Sequence, residues 1–244
     1  MRRAFFITNE ESEGPGLLGE VARDLGFGVE VVEAFRGVAL PFSTRAQDVV
    51  VVMGGPMGVA QIGQPDFPWL APVAALLRER LEAHLPSLGI CLGCQLLAHA
   101  AGARVAPMRD AQGRPFREVG WKPVRFTGVG DPALAGLPQE LEVLHWHEDG
   151  CALPEAATLL ASSQLWPVQM FRLGRSYGIQ FHPETDGATA CDWAQSEEAF
   201  AVSALGPKGV EVLRAVSREK GIQSEKLRRQ LLTQVFQSLV PGSL

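Results

Sequence analysis

Hydrophobic positions change period several times along the first hundred residues. Ala4 to Ile7 is a short apolar run, and an acidic, glycine-containing stretch from Thr8 to Gly16 breaks it. Leu17, Leu18, Val21, Ala22 and Leu25 then fall at helical spacing, with Gly26 placed to stop the helix. Val29 to Val32 reads as a second strand. Val49 to Met53 is continuous and mostly β-branched, the pattern of a strand covered on both faces, and Gly54-Gly55-Pro56-Met57-Gly58 ends it abruptly. Leu70 to Leu85 returns to helical spacing; another apolar run closes at Ile90, and helix formers resume at Gln95. Strand and helix in alternation predict an α/β protein, a doubly wound, mostly parallel sheet flanked by helices.

Beyond Gly102 the rhythm changes. Arg104 to Met108, Val119 to Phe126, Leu141 to His145, Thr158 to Ala161, Val168 to Phe171 and Ser176 to Phe181 are short β-like runs between turn residues, without helical crossovers. They predict antiparallel additions to the sheet. Asp110 to Pro115 has the composition of an exposed loop tip. From Ala188 on, Leu213, Val216, Leu227, Leu231, Leu232, Val235 and Leu239 restore helical spacing, and the mixed charges from Arg214 to Arg229 read as a solvated face. No internal repeat or low-complexity linker divides the chain. One domain is expected over residues 1–244, with a core over about 4–190 and a helical extension over about 191–244.

Composition narrows the class. The 244 residues are 46% hydrophobic and 20% charged, with a net charge of −5, which gives no reason to expect nucleic acid or an anionic membrane as partner. Four cysteines, none at zinc-finger spacing, suit reduced thiols in a cytoplasmic protein better than a disulfide framework. Arg2 and Arg3 precede an apolar run that stops at Asn9-Glu10-Glu11, too short for a signal peptide. Residues 85–103 carry no charge, but three glycines, a proline, Ser87, Gln95 and His99 argue against a membrane helix there.

Candidate chemistry centres on Gly89-Ile90-Cys91-Leu92-Gly93, a strand, a sharp turn and a helix start with a thiol at the turn. Small residues two before and two after the cysteine permit the strained turn of a nucleophile elbow. At a helix N-terminus the dipole favours the thiolate. A cysteine nucleophile needs a base, and the base needs an orienter. His182 and Glu184, in Gln180-Phe181-His182-Pro183-Glu184 at the end of an apolar run, supply those residue types. Gly54-Gly55-Pro56 could expose backbone N–H groups to a developing oxyanion. Each motif alone has a plain structural reading: a buried thiol, a satisfied histidine, a tight turn. Their joint occurrence favours the catalytic one.

With these pieces and His145-Trp146-His147-Glu148-Asp149, the chain resembles the class I, triad-type glutamine amidotransferases over about residues 4–190. It is most similar to stand-alone members akin to the amidotransferase half of GMP synthetase, a group that includes γ-glutamyl peptidases. The resemblance implies a flavodoxin-like fold, Cys91 as nucleophile, His182 as base and Glu184 as orienter. It further implies an oxyanion hole from the N–H groups of Gly55 and Leu92, with Gln95 and the backbone near Met57 and Trp146 holding the glutamyl end. The implied substrate is a γ-glutamyl amide, glutamine or a γ-glutamyl peptide; any ammonia acceptor would be a separate synthetase, and no cofactor or metal is implied. Glu148 stands where many members have glycine, which puts free glutamine in question.

Three rival classes remain. Cys91-x-x-Cys94 could be a redox pair, with Cys94 able to resolve an oxidised Cys91 one helical turn away. His145, His147 and His182 could ligate a metal. The fold could also serve a non-catalytic binding protein.

Overall fold

The computed structural model describes residues 2–42, 44–128 and 130–241. Its first part alternates β1 (Arg3–Thr8), α1 (Gly16–Asp24), β2 (Gly28–Glu33), β3 (Val49–Val52), α2 (Leu70–Glu82), β4 (Ser87–Ile90) and α3 (Leu92–Ala100). There follow β5 (Val105–Pro107), β6 (Glu118–Phe126), β7 (Glu140–His147), β8 (Asp149–Cys151), β9 (Thr158–Ser162), β10 (Met170–Leu173) and β11 (Ser176–Ile179). Two helices end the chain, α4 (Gly187–Ser196) and α5 (Glu198–Leu239), the latter broken at Gly206 (φ 71°, ψ 168°) just before Pro207.

Among the described residues, nine strands form one sheet in the order β2-β1-β3-β4-β11-β10-β9-β6-β7. The stretch β2-β1-β3-β4-β11 is parallel, and β10, β9, β6 and β7 continue it antiparallel. Alternate residues of a strand go to opposite faces. Ala4, Phe6, Val49 and Val51 accordingly pack with α1 and the Leu231–Leu239 end of α5, whereas Phe5, Ile7, Val50 and Val52 pack with α2 and α3. Both faces are covered, which explains why β3 is valine throughout.

Three expectations need correction. β11 runs parallel to β4 as an internal strand and stops at Ile179, leaving Phe181 beyond it. β5 lies outside the main sheet, paired with β8, whose three residues are too few to show a period. The mixed-charge face of α5 is not wholly solvated. Arg228 is 1% exposed, its guanidinium donating to the carbonyls of Pro183, Thr185 and Gly221 at 2.8 Å each.

Strand order reverses between β1 and β3, and in such sheets ligands gather where the carboxyl ends of the strands open. The segments after β1, β3, β4 and β11 all emerge at that edge.

Candidate active site

Cys91 joins β4 to α3 with φ 50°, ψ −106°, a conformation strained for a residue with a side chain. Packing imposes it. A Cβ on Gly89 would collide with the backbone of Gly93, and one on Gly93 with the carbonyl of Val52. The two glycines therefore let the start of α3 settle directly on β3 and β4, and Cys91 N donates to Ile179 O at 2.8 Å. The thiol is 7% exposed, 3.8 Å from the Trp146 carbonyl and 3.6 Å from Gln180 Nε2.

His182 follows β11 and is 1% exposed. Its Nδ1 lies 2.8 Å from Glu184 Oε1, its ring meets Trp193 edge-on at 4.9 Å, and Nε2 has no hydrogen-bond partner among the described residues. A carboxylate can only accept, so Nδ1 carries the hydrogen and Nε2 is the free nitrogen. Burial opposes a charge on His182, but the carboxylate of Glu184 and the sulfur of Cys91 outweigh it and hold the imidazole's pKa well above its ordinary value. Burial likewise pushes the Cys91 thiol up, and His182 opposes that rise. Burial thus favours the protonated thiol, and what draws it toward the thiolate is His182 beside it.

The Glu184 loop is fixed from two sides. Leu17 N donates to Glu184 O at 3.0 Å, and Arg228 holds the carbonyls on either side of Glu184.

After β3, Asn9 Nδ2 donates to the carbonyls of Met53 (2.9 Å) and Gly54 (3.1 Å), fixing the glycine turn. A Cβ on Gly55 would lie 3.2 Å from Leu92 Cδ2, so this turn and the start of α3 are adjacent. A cavity of about 240 Å³ opens there, lined by Cys91, Gly55, Met57, Gln95 and Trp146 among others. Gly55, Met57, Gln95 and Trp146, singled out from sequence, thus line one cavity with the thiol. Gln95 Nε2 is engaged with Asp149 O (3.1 Å) and Gln180 Oε1 (3.2 Å), so its amide holds the wall as well as facing the cavity. Glu148 is half exposed and paired with Arg117 at 2.7 Å.

Other lining residues were not foreseen. Glu13, from the loop after β1, lies over Gly54, where a side chain would displace it. Burial first, then the charges of Glu184, Glu10 and Glu197, raise its pKa to about 8 against the opposing pull of His182. Glu197, between α4 and α5, accepts from Trp146 Nε1 at 3.1 Å and is also raised by burial. Neither sits in a motif, and only the acidic composition of the first loop hinted at Glu13.

The rival pairings separate. Cys91 packs in the cluster with Ile90 and Ile179, whereas Cys94 is fully buried in the opposite one with Cys151 and Phe171. His182 is committed to Glu184, while His145 and His147 lie beside Glu118. Burial pulls the His145 imidazole down to about 3, which keeps it neutral.

The model of the family described as glutamine amidotransferase class-I matches residues 17–191. The glutamine amidotransferase-like protein YfeJ of Salmonella typhimurium is 33% identical over 187 residues, 75% of each chain. A GMP synthase of Thermomicrobium roseum is 38% identical over 138 residues, which span 55% of this chain but 23% of the synthase. Among solved structures, a glutamine amidotransferase from Thermotoga maritima superposes with TM-score 0.84 at 26% identity, covering 99% of both chains. Another from Methylobacillus flagellatus gives 0.80 at 26% identity, covering 99% of this chain and 95% of its own. On fold, sequence and the arrangement at the sheet edge together, the chain belongs to the class I glutamine amidotransferases, a family of amide-hydrolysing enzymes.

Proposed function

We propose that this protein hydrolyses a γ-glutamyl amide, glutamine in the first instance, through a thioester on Cys91. Cys91 gives its proton to His182 Nε2 and its sulfur attacks the amide carbon. The oxyanion is received by the N–H groups of Gly55 and Leu92. His182 passes the proton to the departing nitrogen, the C–N bond breaks, and ammonia or an amine leaves. His182 then takes a proton from water, which attacks the thioester, and glutamate departs with the thiol restored. Glu184 holds the imidazole in the tautomer this cycle needs and stabilises its charge. Gln95 and the backbone at Met57 and Trp146 hold the glutamyl end.

The observation that carries the reading is the strained Cys91 beside an imidazole whose other nitrogen is bound to a carboxylate at 2.8 Å. Ammonia would pass to a separate synthetase, as the synthase relative suggests, or be released to water. A cytoplasmic setting fits four free cysteines, and among the described residues no helix is long and apolar enough to cross a membrane. The core and the C-terminal helices act as one unit.

A second reading, γ-glutamyl peptide hydrolysis, is favoured by the four acidic side chains lining the cavity, Glu13, Glu148, Asp149 and Glu197, which offer polar partners to a leaving group larger than ammonia. Comparison of kcat/KM for glutamine and a series of γ-glutamyl peptides tests both. Faster turnover of glutamine supports the first, faster turnover of peptides the second, and no release of glutamate from either refutes the proposal.

A further inference from the structure

Away from the thiol, three buried side chains converge between β6 and β7. Glu118 and His147 are directly opposed in the strand register, and His145, two residues before His147, shares its face. They are 1%, 4% and 0% exposed. Glu118 Oε2 lies 3.4 Å from His147 Nε2 and 3.6 Å from His145 Nδ1, and one ligand atom from each residue falls within 4.8 Å of the others.

Hydrogen bonding leaves this cluster incomplete. His147 Nδ1 faces the Asp149 carbonyl at 3.1 Å, so it carries the hydrogen, and in the neutral ring Nε2 turns a lone pair toward a carboxylate. Among the described residues, that nitrogen and both nitrogens of His145 have no hydrogen-bond partner. Gln169 donates to Glu118 at 2.7 Å and Ser163 at 3.0 Å, yet Gln169 Oε1 is unpartnered too. A proton on His147 Nε2 would reconcile it with Glu118 but leave His145 unsatisfied. A cation would satisfy both.

We propose that Glu118, His145 and His147 form a structural site for a divalent transition-metal ion of the zinc class. Two imidazoles and a carboxylate are a common zinc donor set, and imidazole selects against calcium and magnesium. For bonds of about 2.0–2.1 Å a tetrahedron has edges of about 3.3–3.4 Å, near the spacings from Glu118 to the two rings. The bond from His147 Nδ1–H to a carbonyl is the arrangement that orients metal-bound histidines, and Gln169 and Ser163 fix the carboxylate likewise. Gln169 Oε1 is the candidate fourth ligand, directly or through water. Such an ion would tie β6 to the end of β7 that supplies Trp146 to the cavity wall, acting on the wall and not on the reacting atoms.

The full chain, stripped with chelator and re-loaded with zinc alone or cobalt(II) alone, tests this. One equivalent of zinc should survive gel filtration and raise Tm. The cobalt form should show visible d–d bands without a sulfur charge-transfer band, and Cys91→Ala should bind equally. His145→Phe and Glu118→Gln should each lose the ion, and Gln169→Leu should weaken it about tenfold. Folding of the variants is checked by circular dichroism; should they unfold, wild-type stoichiometry and the cobalt spectrum decide. Failure of the wild type to retain zinc, a thiolate spectrum, or full binding by folded His145→Phe would overturn the site.

Discussion

The Glu13 carboxyl, with its pKa lifted to about 8 by burial and neighbouring acids, keeps its proton where the unfolded chain has already released it. Between its ordinary value of 4.5 and about 8 the folded state binds the extra proton, so this group makes stability fall as pH rises through that window. Tm of Glu13→Gln should therefore decline less from pH 5 to pH 8.5 than that of the wild type; parallel curves would contradict the assignment. At Gly93, any Cβ meets the Val52 carbonyl, a backbone group that cannot swing aside. Gly93→Ala should cost at least about 3 kcal/mol in denaturant unfolding, at or above the usual range for overpacking, because α3 must lift from β3. As proposed site residues, Cys91, His182 and Glu184 stand out in the sequence because each lies in a contiguous motif whose spacing encodes its local geometry. Asn9, Glu13 and Glu197 were not, since they come from loops whose approach to the thiol is set by chain crossings far away in sequence.

Among the elements, α5 shows where periodicity stops being informative. Its apolar positions Leu231, Leu232, Val235 and Leu239 identified the face that reaches the core. The same pattern placed Arg228 on the outside, because a charged residue on a helix reads as solvated until the carbonyls that receive it are known. Arg228 couples the last helix to the Glu184 loop. Arg228→Met should destabilise by about 3 kcal/mol or more, as buried carbonyls at about 1–3 kcal/mol each lose their donor. It should also lower kcat with less effect on KM, because in the proposed mechanism the group it displaces orients the base. Unchanged kcat in a folded variant would remove the link. The parallel strands were readable for a related reason: burial on both faces demands β-branched runs such as Val49–Val52, whereas three-residue β8 carries no period at all.

For the molecule as a whole, the sheet is closed on one face only with the help of α5, whose Leu231, Leu232, Val235, Phe236 and Leu239 are all fully buried against it. Removal of residues 191–244 should expose that face and free the Glu184 loop, giving a chain that aggregates or binds hydrophobic dyes. A soluble, cooperatively folding, fully active 1–190 fragment would show that the two parts are independent. The central claim, a covalent glutamyl intermediate on the strained thiol, is reached most directly by acid-quenching the enzyme during turnover of glutamine or a γ-glutamyl peptide and weighing the peptide that contains Cys91. A glutamyl adduct on that peptide in the wild type, absent in Cys91→Ala and increased in a variant slowed in deacylation, is the predicted result. Turnover by Cys91→Ala, or an adduct located on another residue, would contradict it.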